Sequence, residues 1–194
     1  IAFALQIAGG AAIAALTGLF PVRLPGTKTS LAGAELFVFL LLLVYGPAAA
    51  TIAAAAEAAV GSFRTSNRWT SRIGSPTMAA LAMYGCGTAF TLAMTAARSG
   101  GPLGNSVLFA GLFVLALGYY ACSTLLMASL ISLKKGESID AWGVLRGNGW
   151  IGLAYMASAS IAGLVYVSFD RFGTPVLMAA VPIMASILRN TGTL

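Results

Sequence analysis

Five side chains mark where this chain can do chemistry: Glu35, Glu57, Arg64, Tyr119 and Tyr120. Glu35 and Glu57 lie inside apolar runs, whereas nearly every other charge falls in a short gap between such runs. A carboxylate within a bilayer costs at least ~2.5 kcal/mol on insertion scales, so each is a functional candidate by default. Glu35 stands eleven residues before Gly46, and Glu57 stands ten residues after Pro47. A Gly-Pro turn here makes a helical hairpin, and a rise of about 1.5 Å per residue puts both carboxyls roughly 15 Å from the turn. At matched depth they would share a proton, or bind a cation or a ligand amine. The alternative is that each is neutral or separately bonded and serves packing alone. Spacing does not decide whether they face each other. Arg64 follows Glu57 by two helical turns on the same face, from which it would bias the charge of Glu57. Tyr119 and Tyr120, with Ser123 and Thr124, place a polar patch in an otherwise apolar segment, either lining a cavity or satisfying a neighbouring helix.

Other chemistry is excluded by composition. There is no His, which rules out Ser-His-Asp and Cys-His catalysis. No HExxH or GxSxG occurs, and five carboxylates with two Cys make an unpromising metal donor set. The expectation is no catalytic residue, no metal, no cofactor and no enzyme activity. Cys86 and Cys122 fall in separate apolar segments and read as small buried apolar residues. A disulfide is the lesser alternative. The run SFRTSNRWTSR over 62–72 suits phosphates or lipid headgroups, or is a plain basic loop.

These residues need a scaffold, and the composition says which kind. Hydrophobic residues make up 59% and charged residues 8%, against about 25% charged in soluble domains. No charge interrupts the chain between Arg98 and Lys134, or between Arg146 and Asp170. A bilayer core needs about 20 apolar residues as helix. The reading is an all-α, polytopic transmembrane bundle of about six to seven helices, one integral membrane domain over 1–194, and a piece of a longer chain. The apolar segments are 1–20, 31–45, 48–63, 77–97, 106–133, 148–169 and 174–188. Pro25, Pro47, Pro76, Pro102 and Pro175 sit in or beside the turns, and Pro182 should kink the last segment. Arg23, Lys28, Arg64, Arg68, Arg72, Lys134, Lys135 and Arg146 occupy alternate loops, while the other loops hold only Arg98 and Arg171. The positive-inside rule then puts the basic loops and the C-terminus in the cytoplasm. The net charge of +6 is explained the same way, so a lipid bilayer is expected as partner and nucleic acid is not. The stretch 134–146 would lie flat at the interface with Trp142 as anchor, or form an ordinary loop. Ala50, Ala54, Ala58 and Gly61 line one face of the third segment, and Ala154, Ser158 and Ala162 one face of the sixth, with Ala159 and Gly163 beside them. Such stripes mark close helix contacts. Leu41 is expected to face lipid.

Three stretches taken together carry a resemblance: LPGTKTSLAGAELFVFLLLLVYGP (24–47), AAATIAAAAEAAVGSFRTSNRW (48–69) and YMASASIAGLVYVSFDRFGTPVLMAAVP (155–182). This pattern resembles the multi-helix, MASE-like membrane sensor regions that precede GGDEF, EAL or HD-GYP domains in bacterial signalling proteins. In that group an acidic residue follows an LP…S stretch, a GP turn joins two helices, and a Ser-Arg pair closes the second. Glu35, Gly46-Pro47, and Ser62 with Arg64 would fill those places here. The resemblance implies a sensory input domain in the bacterial inner membrane, a homodimer, with a cyclic-di-GMP enzyme downstream and an unknown small ligand or ion as stimulus. The alternative is a small-molecule carrier or the membrane substrate-binding component of an uptake system. The sequence beyond Leu194 distinguishes the two.

Overall fold

A computed structural model of the chain describes residues 22–23, 30–31, 35–65, 69–99, 104–135, 141–147 and 149–172. Among the described residues there are six helices and one pair of two-residue strands. The strands, β1 (Val22–Arg23) and β2 (Ser30–Leu31), pair antiparallel with Val22 opposite Leu31. In the segment expected to start at 31, the described helix begins at Glu35. The apolar runs 1–20 and 174–188, with Pro25, Pro102, Pro175 and Pro182, lie outside the described residues.

Helix α1 (Glu35–Tyr45) is a short apolar helix. It stops at Gly46, whose φ of 85° lies in the left-handed region that glycine enters without a Cβ clash. The Gly46 N–H bonds the Leu42 carbonyl at 3.0 Å, closing the helix end. Pro47 then opens α2 (Pro47–Thr65), a position where its missing N–H is not needed. The expected hairpin is therefore present.

Helix α3 (Trp69–Ser99) starts eight residues earlier than the hydrophobic run suggested, so the expected 64–76 loop is mostly helix and Pro76 lies inside it. Proline gives no N–H to the carbonyl four residues back, that of Arg72. The Ser62 hydroxyl, buried against α3, lies 3.5 Å from that oxygen while it donates to the Ala59 carbonyl at 2.9 Å. The Arg72 guanidinium sits 5.1 Å above the Phe63 ring. Farther along α3, the hydroxyls of Thr77, Thr91 and Thr95 donate back to carbonyls one turn earlier at 2.7–2.8 Å, which satisfies them inside an apolar helix.

Helix α4 (Asn105–Lys135) begins after Gly104, α5 (Ala141–Gly147) is a single short helix with Trp142 exposed, and α6 (Gly149–Phe172) follows. Within α3, α4 and α6, the spans Trp69–Ser99, Asn105–Leu130 and Gly149–Phe169 are long and apolar enough to cross a membrane, with mean hydropathies of 1.3, 1.8 and 1.6. Helix α1 reaches only about 16 Å, and α2 is diluted by alanine and charge.

Helix α2 packs along α3, α4 packs against both α3 and α6, and α1 lies between α2 and α6. Phe39, Met83, Leu112 and Val38 are the largest fully buried side chains. Around them Ala50, Ala53, Ala54, Ala159 and Ala162 are almost wholly covered, which lets the backbones approach closely. The two expected stripes fare differently at their glycines. A Cβ on Gly163 would stand 2.8 Å from both Leu112 Cδ1 and Phe109 Cε1, whereas a Cβ on Gly61 would meet nothing within 4 Å. Leu41, expected to face lipid, is instead buried in the core, since α1 is packed between α2 and α6. The outward faces carry Leu81, Leu92, Val114, Leu153 and Leu164, as a surface turned to hydrocarbon would.

Candidate functional site

Glu35 is in the first turn of α1, where the unsatisfied N–H groups and the positive end of the helix dipole favour an acidic side chain. Its carboxyl receives its own backbone N–H and the hydroxyl of Tyr155 from α6. The other oxygen, Oε2, is buried and has no hydrogen-bond partner. Glu57, on α2, lies within direct electrostatic range of Glu35. The hairpin therefore places the two carboxyls within electrostatic range of each other, in keeping with equal depth on its two arms.

Tyrosines enclose this pair. Tyr119 of α4 is buried and interacts electrostatically with Glu57 and then Glu35. Tyr155 interacts with Glu35, Tyr119 and Glu57 in turn, and its hydroxyl lies within reach of the Ser123 hydroxyl, which donates to the Tyr120 carbonyl. The ring centroids of Tyr119 and Tyr155 are 5.4 Å apart, and Phe39 meets them edge-on at 6.1 and 6.3 Å. Edge-to-face contacts of this kind fix ring positions as well as burying area. Four helices, α1, α2, α4 and α6, thus each contribute to one polar cluster inside an apolar bundle.

Two other residues proposed from the sequence are placed elsewhere. Arg64 is exposed in the last turn of α2, about 10 Å along the axis from Glu57. Glu35 is a charged neighbour that acts on Glu57. Tyr120 is buried and its ring lies 6.2 Å from that of Tyr155, but its hydroxyl donates to the Leu145 carbonyl of α5 at 2.9 Å. That carbonyl belongs to the last turn of a short helix, where no intrahelical donor follows. Tyr120 therefore anchors α5 to the bundle.

Sequence reasoning passed over Tyr155 and Phe39. The signal for Tyr155 was available: a phenol in the middle of an uncharged span must place its hydroxyl somewhere. Phe39 gave no such signal, since a phenylalanine in an apolar run is unremarkable. Cys86 and Cys122 prove to be neighbours. Both thiols are free, Cys86 is half-buried, and Cys122 is exposed rather than buried as expected. Their side chains are within hydrogen-bonding reach across the α3–α4 contact.

Chemically, the cluster offers two partly buried carboxyls, one with a buried oxygen on Glu35, and aromatic faces beside them. Paired negative charges in a low dielectric call for a positive charge between them. A proton or a small ammonium supplies it, and the rings add cation–π attraction for the latter. No family model, curated protein or solved structure matches the chain.

Proposed function

We propose that this chain is a multi-pass input domain of six to seven helices in the bacterial inner membrane, acting as a homodimer. Its Glu35–Glu57 site takes up a small cation, either a proton or an amine, and the occupied and empty states differ in how α1, α2 and α6 pack. A cyclic-di-GMP-type signalling domain on the cytoplasmic side reads that difference. The observation that carries this reading is the buried, unpartnered Oε2 of Glu35 beside a second carboxyl. A group held that way costs about 1–3 kcal/mol or more while it lacks a partner, so it favours any state in which a cation arrives. The resemblance to membrane sensor regions supplies the output, and the positive-inside pattern supplies the side.

The test uses the chain in lipid nanodiscs, titrated with methylammonium and, separately, with acid, while tyrosine ultraviolet absorbance is followed. A saturable change that disappears in both Glu35→Gln and Glu57→Gln supports the reading. No change, or one that survives both substitutions, overturns it. If vesicles containing the protein instead accumulate methylammonium, the chain is a carrier. Orientation is tested in a Cys86→Ala, Cys122→Ala background with single cysteines at positions 66 and 99. Labelling of Ser66→Cys from outside the cell refutes a cytoplasmic C-terminus.

A further inference from the structure

A second site lies at the opposite end of the bundle arms. A cavity of about 460 Å³ opens between the Gly46 turn, the last turns of α3, the start of α4 and the α6 residues Tyr166 and Val167. Ligand sites commonly measure about 300–1,000 Å³. Its walls are divided by polarity. Leu42, Leu43, Phe90 and Met94 form an apolar interior, and Arg98 and Asn105 stand at the rim. Thr91 and Thr95 also line it, but their hydroxyls are already spent on the carbonyls of Gly87 and Thr91. The interior is thus poorer in free polar groups than its composition suggests.

Among the described residues, Arg98 is the only charged one lining this cavity, and it makes no ion pair with them. The C-terminal dipole of α3 offsets about half a charge. The rest of that charge faces the cavity mouth, and the N-terminal end of α4, with its own partial positive charge, adds to it through Gly104 and Asn105.

We infer that this cavity binds a single-chain amphiphilic anion, with a carboxylate or phosphate monoester head on Arg98 and its alkyl chain against Leu42, Leu43, Phe90 and Met94. Guanidinium holds such heads through two parallel charge-assisted hydrogen bonds. An uncharged alcohol of the same length gains the apolar contact alone, and inorganic phosphate gains the head contact alone. The site is separate from the carboxylate pair and favours the opposite sign of ligand.

The test uses the chain in phosphatidylcholine nanodiscs, a diazirine-bearing decanoate as photoprobe, and peptide mapping of the label. Label is expected on the α1 and α3 walls. Decanoate and decyl phosphate should compete, with decanol at least about tenfold weaker, as loss of the charge-assisted contact predicts, and inorganic phosphate at least about tenfold weaker for want of the apolar contact. Arg98→Gln should lower labelling by about the same factor. Thr95→Trp, at an exposed wall position, should fill the space and remove labelling without disturbing the core. Glu35→Gln should leave labelling intact, which separates the failure of this site from that of the carboxylate pair. Repeating the experiment with lysophosphatidic acid, a single-chain phosphate monoester, in the disc identifies the source. Displacement of the probe makes the natural occupant a bilayer lipid, and persistence makes it a free amphiphile. Equal competition by decanol, or labelling unchanged in both Arg98→Gln and Thr95→Trp, overturns the inference.

Discussion

Replacing Tyr155 with phenylalanine removes one O–H from the polar cluster and leaves its shape in place. The ring still meets Tyr119 at 5.4 Å, Tyr120 at 6.2 Å and Phe39 at 6.3 Å. Ser123 keeps an acceptor, the Tyr120 carbonyl at 3.1 Å. What is lost is the hydroxyl that serves Glu35. Interhelical hydrogen bonds in bilayers average about 0.6 kcal/mol and reach about 1.7. Those to charged groups are worth about 1.5–3 kcal/mol. Because Oε2 already lacks a partner, Tyr155→Phe leaves the carboxyl with its own backbone N–H alone. The upper part of the bilayer range therefore applies, and about 1.5 kcal/mol of destabilisation is expected. Glu35→Leu behaves differently, since it removes the acceptor and relieves its repulsion with Glu57. Once the acceptor is gone, losing the donor costs little. The double variant should be no less stable than Glu35→Leu alone, giving a coupling close to the full effect of Tyr155→Phe. The measurement is reversible unfolding in mixed micelles, followed by circular dichroism for all four proteins of the cycle. Effects of the two substitutions that add to within about 0.3 kcal/mol would show that these residues do not interact, and the cluster as described would be wrong.

Glycine substitutions should split by sign. Gly163→Ala forces a methyl against Leu112 and Phe109 and should destabilise by about 1–3 kcal/mol, whereas Gly61→Ala meets nothing and should gain up to about 1 kcal/mol, both read from thermal melts in detergent. Gly46→Ala should cost about 1–2 kcal/mol by placing a Cβ at φ 85°, and a neutral result would mean the turn has another conformation. Leu41→Ala should cost about 2–5 kcal/mol and exposed Leu81→Ala under about 0.5 kcal/mol. Equal melts would return Leu41 to the lipid face. Copper-phenanthroline oxidation should consume both native thiols within one chain, counted by maleimide mass tagging. Two thiols surviving while an exposed control cysteine reacts would separate α3 from α4 at Cys86 and Cys122.

The helical segments were legible because apolar length is a coarse, local signal. The runs expected at 106–133 and 148–169 end within a few residues of α4 and α6. The start of α3 was missed for a physical reason. Arg72 and Pro76 look like loop residues in one dimension, but Phe63 covers the guanidinium and Ser62 lies beside the carbonyl that proline leaves. Both partners come from α2, so no window along α3 contains them. The meeting of Glu35 and Glu57 was half legible, since spacing set their depth while facing depended on helix rotation. Tyr155 was beyond reach from spacing, since its place next to Glu35 depends on α6 crossing α1. Arg64 lies where the sequence put it, two turns beyond Glu57 at the exposed end of the helix, and its spacing alone does not say what the guanidinium meets.

The Gly46 turn also governs which changes the chain can survive over time. Glu35 and Glu57 meet because nearly equal lengths of helix run from that one left-handed residue. Inserting or deleting one residue on either arm would swing its carboxyl by about 100° and shift it by about 1.5 Å. Most side chains between them, Leu for Ile or Ala for Ser, could be exchanged with little effect on that meeting. The hairpin is thus a ruler: outside Gly46 and the packed core positions, it holds a count more strictly than any letter.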